Sequence, residues 1–176
     1  MVAGVRRAVL AEYEAVFAIL GWHAGLILPR YMGEAWLLVR DGARADSLLV
    51  SSHAEGFTAI LTRDSEPLVV RDVVCDETDK PDEFYRLLLF YRDRAASDGT
   101  NGGEPPNIER LLVVGQSNES EHNSLSNVQA SAIVADTLQV TPRTLGADDL
   151  RLTLPDGELD FNTLAAPAGL AALAWR

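Results

Sequence analysis

At 176 residues, 47% of them apolar, the chain is long enough to bury the core of one domain. A net charge of −11 leaves no basic stripe for phosphates, which excludes nucleic acid as a partner and disfavours an anionic membrane surface. No apolar run approaches the ~20 residues of a membrane span, so direct membrane insertion is excluded. No signal-peptide pattern opens the chain, and Cys75 is the only cysteine, so no disulfide framework exists and a cytoplasmic setting is expected.

The chain opens on "VRRAVLAEYEAVFAILGW". Val9, Tyr13, Val16, Phe17 and Leu20 recur at helical spacing, which predicts a helix over 5–20 with Gly21 as its stop. "HAGLIL" (23–28) reads as a short buried strand, and "RYMGEAWLLVRDG" as a shorter helix ending near Gly42. "SLLVSSHAEGFTAILTRDSEPLVVRDVV" (47–74) holds three apolar stretches and two polar turns, Ser51 to Gly56 and Arg63 to Pro67. It predicts an antiparallel meander of strands 47–52, 56–62 and 67–74.

Pro81, with Asp82 and Glu83, marks the first turn of a helix whose buried face carries Phe84, Leu87, Leu88 and Tyr91. "SDGTNGGEPPN" (97–107) is a solvated loop by composition, and "IERLLVVG" (108–115) is a buried strand expected near the centre of a sheet. The polar stretch "QSNESEHN" leads to a helix over 124–138, "QVTPRTL" (139–145) predicts a last strand, and "FNTLAAPAGLAALAWR" a closing helix that Pro167 should kink or restart.

A meander followed by alternating helices and strands is the ribonuclease H-like order. The fold expected is therefore α/β, with a mixed five-strand sheet and helices on both faces, in a single lobe spanning 1–176.

Three segments carry a family resemblance. "VRRAVLAEYEAVFAILGWHAGLILP" resembles the interlobe helix of the PilM-like proteins, the actin-like components of type IV pilus assembly. "LLVVGQS" is similar to the strand that enters their adenosine loop, and "LAAPAGLAALAWR" resembles their closing helix. The resemblance is to the C-terminal lobe only, so the first lobe, with the first phosphate loop, is expected to be missing from this chain. It implies a scaffold at the inner membrane that binds nucleotide between two lobes and holds the cytoplasmic tail of a PilN-like membrane protein. Helix 5–20 would be the interlobe element, and the chain would be cytoplasmic, peripheral to the inner membrane through that partner.

The resemblance also implies where a nucleotide would sit. Actin-like proteins carry an Asp-Ile-Gly-Gly type turn in the second lobe's first hairpin, where backbone N–H groups approach phosphate oxygens. Here Ser51, Ser52 and Gly56 stand in that stretch, with Glu55 positioned to repel a phosphate. On the adenosine side a single glycine survives in Gly115-Gln116-Ser117, followed by Glu119 and Glu121. The hairpin keeps its shape without the chemistry, so no cofactor is expected, with Mg-ATP a ligand only if the missing lobe completes the site. The expected function is a non-catalytic interaction or scaffold module of pilus or secretion machinery.

Other chemistry is weaker. "VVGQSNE" imitates a G-x-S-x-G elbow, but Glu119 replaces the second glycine and His122 is too near to complete a triad. Asp76, Glu77, Asp79, Asp82 and Glu83 make the alternative function, a metal-dependent ribonuclease H-like enzyme, although helix-dipole complementarity explains these carboxylates without a metal. His23, His53 and His122 lack ligand spacing, and Cys75 reads as a small hydrophobe, so no metal site is expected. A lobe without its twin should expose an apolar face. Tyr13, Phe17, Trp22 and Trp175 are the interface candidates, with a homodimer as the simplest cover.

Overall fold

The computed structural model describes residues 5–40, 44–97, 107–115, 125–154 and 160–174. Its elements in chain order are α1 (Arg7–Ile19), α2 (Arg30–Val39), β1 (Asp46–His53), β2 (Gly56–Arg63), β3 (Glu66–Val74), a 3-10 turn (Glu77–Asp79), α3 (Lys80–Ser97), β4 (Ile108–Gly115), α4 (Asn127–Leu138), β5 (Arg143–Thr144) and α5 (Phe161–Ala174). The chain divides into two compact units, Met1–Arg30 and Tyr31–Arg176.

In the first unit, α1 ends where the sequence places its stop. Gly21 takes φ 72°, its N–H donates to Ala18 O, and the Trp22 N–H donates to Phe17 O. That pair of bonds satisfies the last carbonyls of the helix and requires a left-handed residue, which glycine adopts without a Cβ penalty. The strand expected over 23–28 does not form: these residues pair with no strand, and Leu26 and Ile27 are 57% and 43% exposed. Composition suits a strand there, but a strand needs a partner edge, which local sequence does not encode.

The second unit holds one five-stranded sheet in the order β3-β2-β1-β4-β5. β1, β2 and β3 form the antiparallel meander, and β1–β4 and β4–β5 pair in parallel. The β2–β3 turn is only Asp64 and Ser65, both at positive φ (50° and 65°), the combination a two-residue hairpin needs to match strand twist. Strand 108–115 lies one position off centre, since β1 is the middle strand and β4 its parallel neighbour. The last strand shrinks to the two residues of β5 that pair with Arg110 and Leu111.

Two cores flank the sheet. On one face Leu48, Phe57, Leu111 and Val113 pack with Phe84 and Leu88 of α3 and Val134 of α4, and Phe57 meets the Phe84 ring edge-on at 6.0 Å. On the other face Leu49, Ile60, Leu112 and Val114 pack with Leu37 and Leu38 of α2 and Ala165 of α5. Helices therefore cover both faces. β1 and β4 are buried on each side, which is why they read as near-continuous apolar runs.

Helices α2 and α5 meet at glycines: a Cβ on Gly169 would lie 1.8 Å from the Gly33 carbonyl oxygen. Pro167 sits inside α5, which runs unbroken through it. The N-terminus of α4 is closed by a reciprocal box, in which Ser126 Oγ accepts from the Gln129 N–H and Gln129 Oε1 from the Ser126 N–H.

Candidate functional site

The place to look is set by topology. In open α/β sheets ligands gather beyond the carboxyl ends of parallel strands. β1 and β4 are the long parallel pair, and their carboxyl ends coincide at the register Ser52↔Gly115. The β1–β2 hairpin joins there, with Ser52↔Phe57 and His53↔Gly56. The structure thus brings Ser52, Gly56 and Gly115 to one end of the sheet. Gln116, Ser117 and Trp175 lie outside the described residues.

The turn itself differs from the sequence reading. β1 runs on to His53 and β2 begins at Gly56, so only Ala54 and Glu55 turn. Ser51 and Ser52 are strand residues, 3% and 6% exposed, not loop residues offering hydroxyls outward. Ser51 pairs with Thr58 on one side and Val114 on the other. The serines are held by the sheet because β1 is its central strand and keeps partners on both edges up to Ser52.

Each surviving glycine has a packing duty. Gly56 takes φ 140°, and a Cβ there would lie 1.9 Å from the Val73 carbonyl oxygen, inside the β2–β3 ladder. A Cβ on Gly115 would lie 2.6 Å from the Ser52 Cβ. Neither glycine needs a nucleotide to account for it.

One residue at this end was not signalled by any motif. Lys80 is the chain's only lysine, and it is 2% exposed. It opens α3, where a cation opposes the helix dipole. Its Nζ donates to Ser52 Oγ at 2.7 Å and to the His53 carbonyl at 2.9 Å, and it lies 2.5 Å from Glu77 Oε2. An ammonium has three N–H donors, and here three oxygens receive them. The dipole conflict is offset by Asp82 and Glu83 in the same turn, and burial of the charge by the Glu77 carboxylate. A sole lysine inside the acidic run "CDETDKPDE" was the available sequence signal.

Beside it, the Thr58 hydroxyl donates to Asp72 Oδ1 at 2.8 Å, and His53 Nε2 lies 3.3 Å from the same oxygen. Cys75 packs against the adjacent core, and burial pushes its thiol above the ordinary range. That disfavours the thiolate a nucleophile or metal ligand would need.

Among the described residues, no group of three or more His, Cys, Asp or Glu side chains is arranged to hold a metal ion. Two carboxylates of the acidic run are paired with single cations: Glu77 with Lys80, and Glu83 with Arg86. Also among the described residues, no helix is long and apolar enough to cross a membrane. Of the interface candidates that are described, Tyr13 and Trp22 are 60% and 64% exposed, and Phe17 is half-buried.

No family model and no curated protein matches the chain. Solved structures do. A PilM-PilN type IV pilus biogenesis complex aligns over 98% of this chain at TM-score 0.60 and 13% identity. The ethanolamine utilization protein EutJ from Carboxydothermus hydrogenoformans aligns over 96% at TM-score 0.49 and 13% identity. The chain spans 59% and 62% of the lengths of those two chains. At such identity the likeness is one of fold: the chain is an α/β lobe of the ribonuclease H-like, actin-like kind.

Proposed function

We propose that the chain is a non-catalytic scaffold module resembling the actin-like component of type IV pilus or secretion machinery, cytoplasmic and peripheral to the inner membrane through a PilN-like partner. The observation that carries this reading is the shared fold with the PilM-PilN complex over nearly the whole chain. The closed hairpin end supports its non-catalytic half. A phosphate there would need free N–H donors or a free cation, and the Lys80 ammonium already has three oxygen partners. Lys80 therefore offers no free N–H to a phosphate at that end. Mg-ATP would be a ligand only if a further lobe supplied the donors. For the metal-dependent enzyme alternative, no cluster of carboxylates among the described residues favours it.

The test is a titration of the chain into a fluorescently labelled peptide. The peptide is the cytoplasmic tail of a pilus-type bitopic membrane protein encoded beside it. Saturable binding in the micromolar range, about −8 kcal/mol, is expected. A flat anisotropy signal up to about 100 μM would remove the partner half of the reading.

A further inference from the structure

The sheet has one long open edge. β3 is its outermost strand, and among the described residues it pairs with β2 alone. The Cys75 N–H donates to the Glu55 carbonyl, in line with the β2–β3 register. Backbone groups alternate along an antiparallel ladder, so Val73, Arg71 and Val69 also turn theirs toward β2. The N–H and C=O of Val70, Asp72 and Val74 therefore point outward, to the open side. The start of the strand is closed to pairing, because Pro67 has no N–H and Leu68 is a bulge without an opposite residue. Val69 to Val74 remain as an open template.

The side chains along that edge define what suits it. Between Asp64 and Asp79 the chain carries the carboxylates Asp64, Glu66, Asp72, Asp76, Glu77 and Asp79 against one cation, Arg71. Asp72 stands between Val70 and Val74 on one face of the strand. Its side chain is 63% exposed, and Val74 is 77% exposed. Among the described residues, Thr58 and His53 both approach Asp72 Oδ1, which leaves Oδ2 for a further cation. Residues opposite each other in an antiparallel pair share a face, so this row matches apolar, basic and apolar side chains at alternate positions. A second copy does not match. A two-fold axis that pairs β3 with β3 keeps each side chain on its own face. Centred on Asp72 it sets Asp72 against its own copy, and centred on Arg71 it does the same with Arg71. Any other centre still lays one acidic edge on another, in a chain of net charge −11.

We propose that residues 69–74 receive an extended basic segment of a partner protein as an added antiparallel strand. A Lys or Arg of that segment lies opposite Asp72, with apolar side chains opposite Val70 and Val74. Backbone bonds supply the affinity, and Asp72 selects the sign of charge. The inference rests on β3 alone and does not depend on the pilus-type reading.

Two end-capped peptides test it, Thr-Val-Thr-Lys-Thr-Val-Thr and the same peptide with Glu in place of Lys. Each is titrated to about 2 mM into the isotope-labelled full chain, and backbone amide shifts are read by NMR. The Lys peptide should shift the Val70, Asp72 and Val74 amides saturably, and the Glu peptide should bind them about fivefold more weakly or worse. Asp72→Asn keeps an acceptor for the Thr58 hydroxyl and should bring the two peptides within about twofold of each other. Val74→Pro removes an outward N–H and spares the β2 ladder, so it should weaken the Lys peptide about fivefold while the β1 and β2 resonances stay in place. No shift at these amides up to about 2 mM overturns the proposal. So does equal binding of the two peptides by the wild type. A charge preference that survives Asp72→Asn overturns the register. Shifts of the same amides on dilution without peptide would give the edge to a second copy, and would overturn it too.

Discussion

The central strand β1 is pinned by a buried charge at each end, and the two ends are built differently. At its start, Asp46 is 7% exposed and takes two bonds from Arg63, at 2.8 and 2.6 Å, with the Asn107 N–H 3.2 Å away. Arg63 is the last residue of β2, so the hairpin that pairs the strands also delivers the guanidinium beside the carboxylate. At its finish, the charge is Lys80, imported from the helix after β3 and braced by a hydroxyl, a carbonyl and one carboxylate. The first end is a planar fork on a planar acceptor, formed by local pairing. The second is a point charge carried in from 27 and 28 residues away, bonded at the carboxyl end of β1.

That difference sets the order of expected losses. Lys80→Met should cost most, about 3 kcal/mol, since it strands the Ser52 hydroxyl and the His53 carbonyl in a buried place. The figure is kept below the full cost of a broken buried pair because Glu77 is 41% exposed and can turn to water. A melting temperature lower by roughly 6–12 °C would register it. If Lys80→Met melts like wild type, the two ends are not comparable and the ammonium is incidental.

Asp46→Asn should cost less, about 2 kcal/mol, because Arg63 is 37% exposed and regains solvent when its partner is neutral. A urea midpoint lower than that of Lys80→Met would reverse the ranking of the two ends. Gly115→Ala should follow, at about 1–2 kcal/mol, as its new Cβ presses on the Ser52 Cβ and disturbs the same bond network. If that variant were neutral in thermal melts, the carboxyl end of β4 would be looser than the Ser52↔Gly115 register implies.

The smallest effect belongs to a buried polar group that neither end uses. Among the described residues, the Tyr91 hydroxyl has no hydrogen-bond partner, and burial pushes its pKa up to about 12. Tyr91→Phe removes an unpaired hydroxyl and should leave stability unchanged or raised by up to about 1 kcal/mol. A loss above that, read by denaturant titration, would mean the hydroxyl has a partner of consequence.

The sequence carried the elements whose signals are local. Strands 47–52, 56–62, 67–74 and 108–115 sit within two residues of β1 to β4, because alternating or continuous apolar runs and tight turns are legible in a single chain. Gly21 was legible as a helix stop for the same reason. What escaped depends on partners far along the chain. "HAGLIL" has strand composition and no pairing strand among the described residues, whereas 108–115 does lie near the centre, beside the middle strand β1. Within the site, Ser52, Gly56 and Gly115 were named and do converge. Lys80 was passed over because its importance lies in contacts with Ser52 and His53 across the whole meander.

We propose that the buried Lys80 ammonium, already bonded to three oxygens, leaves no free cation for a phosphate at the carboxyl end of β1. Isothermal titration of Mg-ATP into the wild-type chain tests it most directly. The account predicts no binding heat at concentrations up to about 100 μM, a threshold near −5.5 kcal/mol. A saturable isotherm with a dissociation constant below about 100 μM would contradict it, since the phosphates would then have donors that Lys80 leaves free.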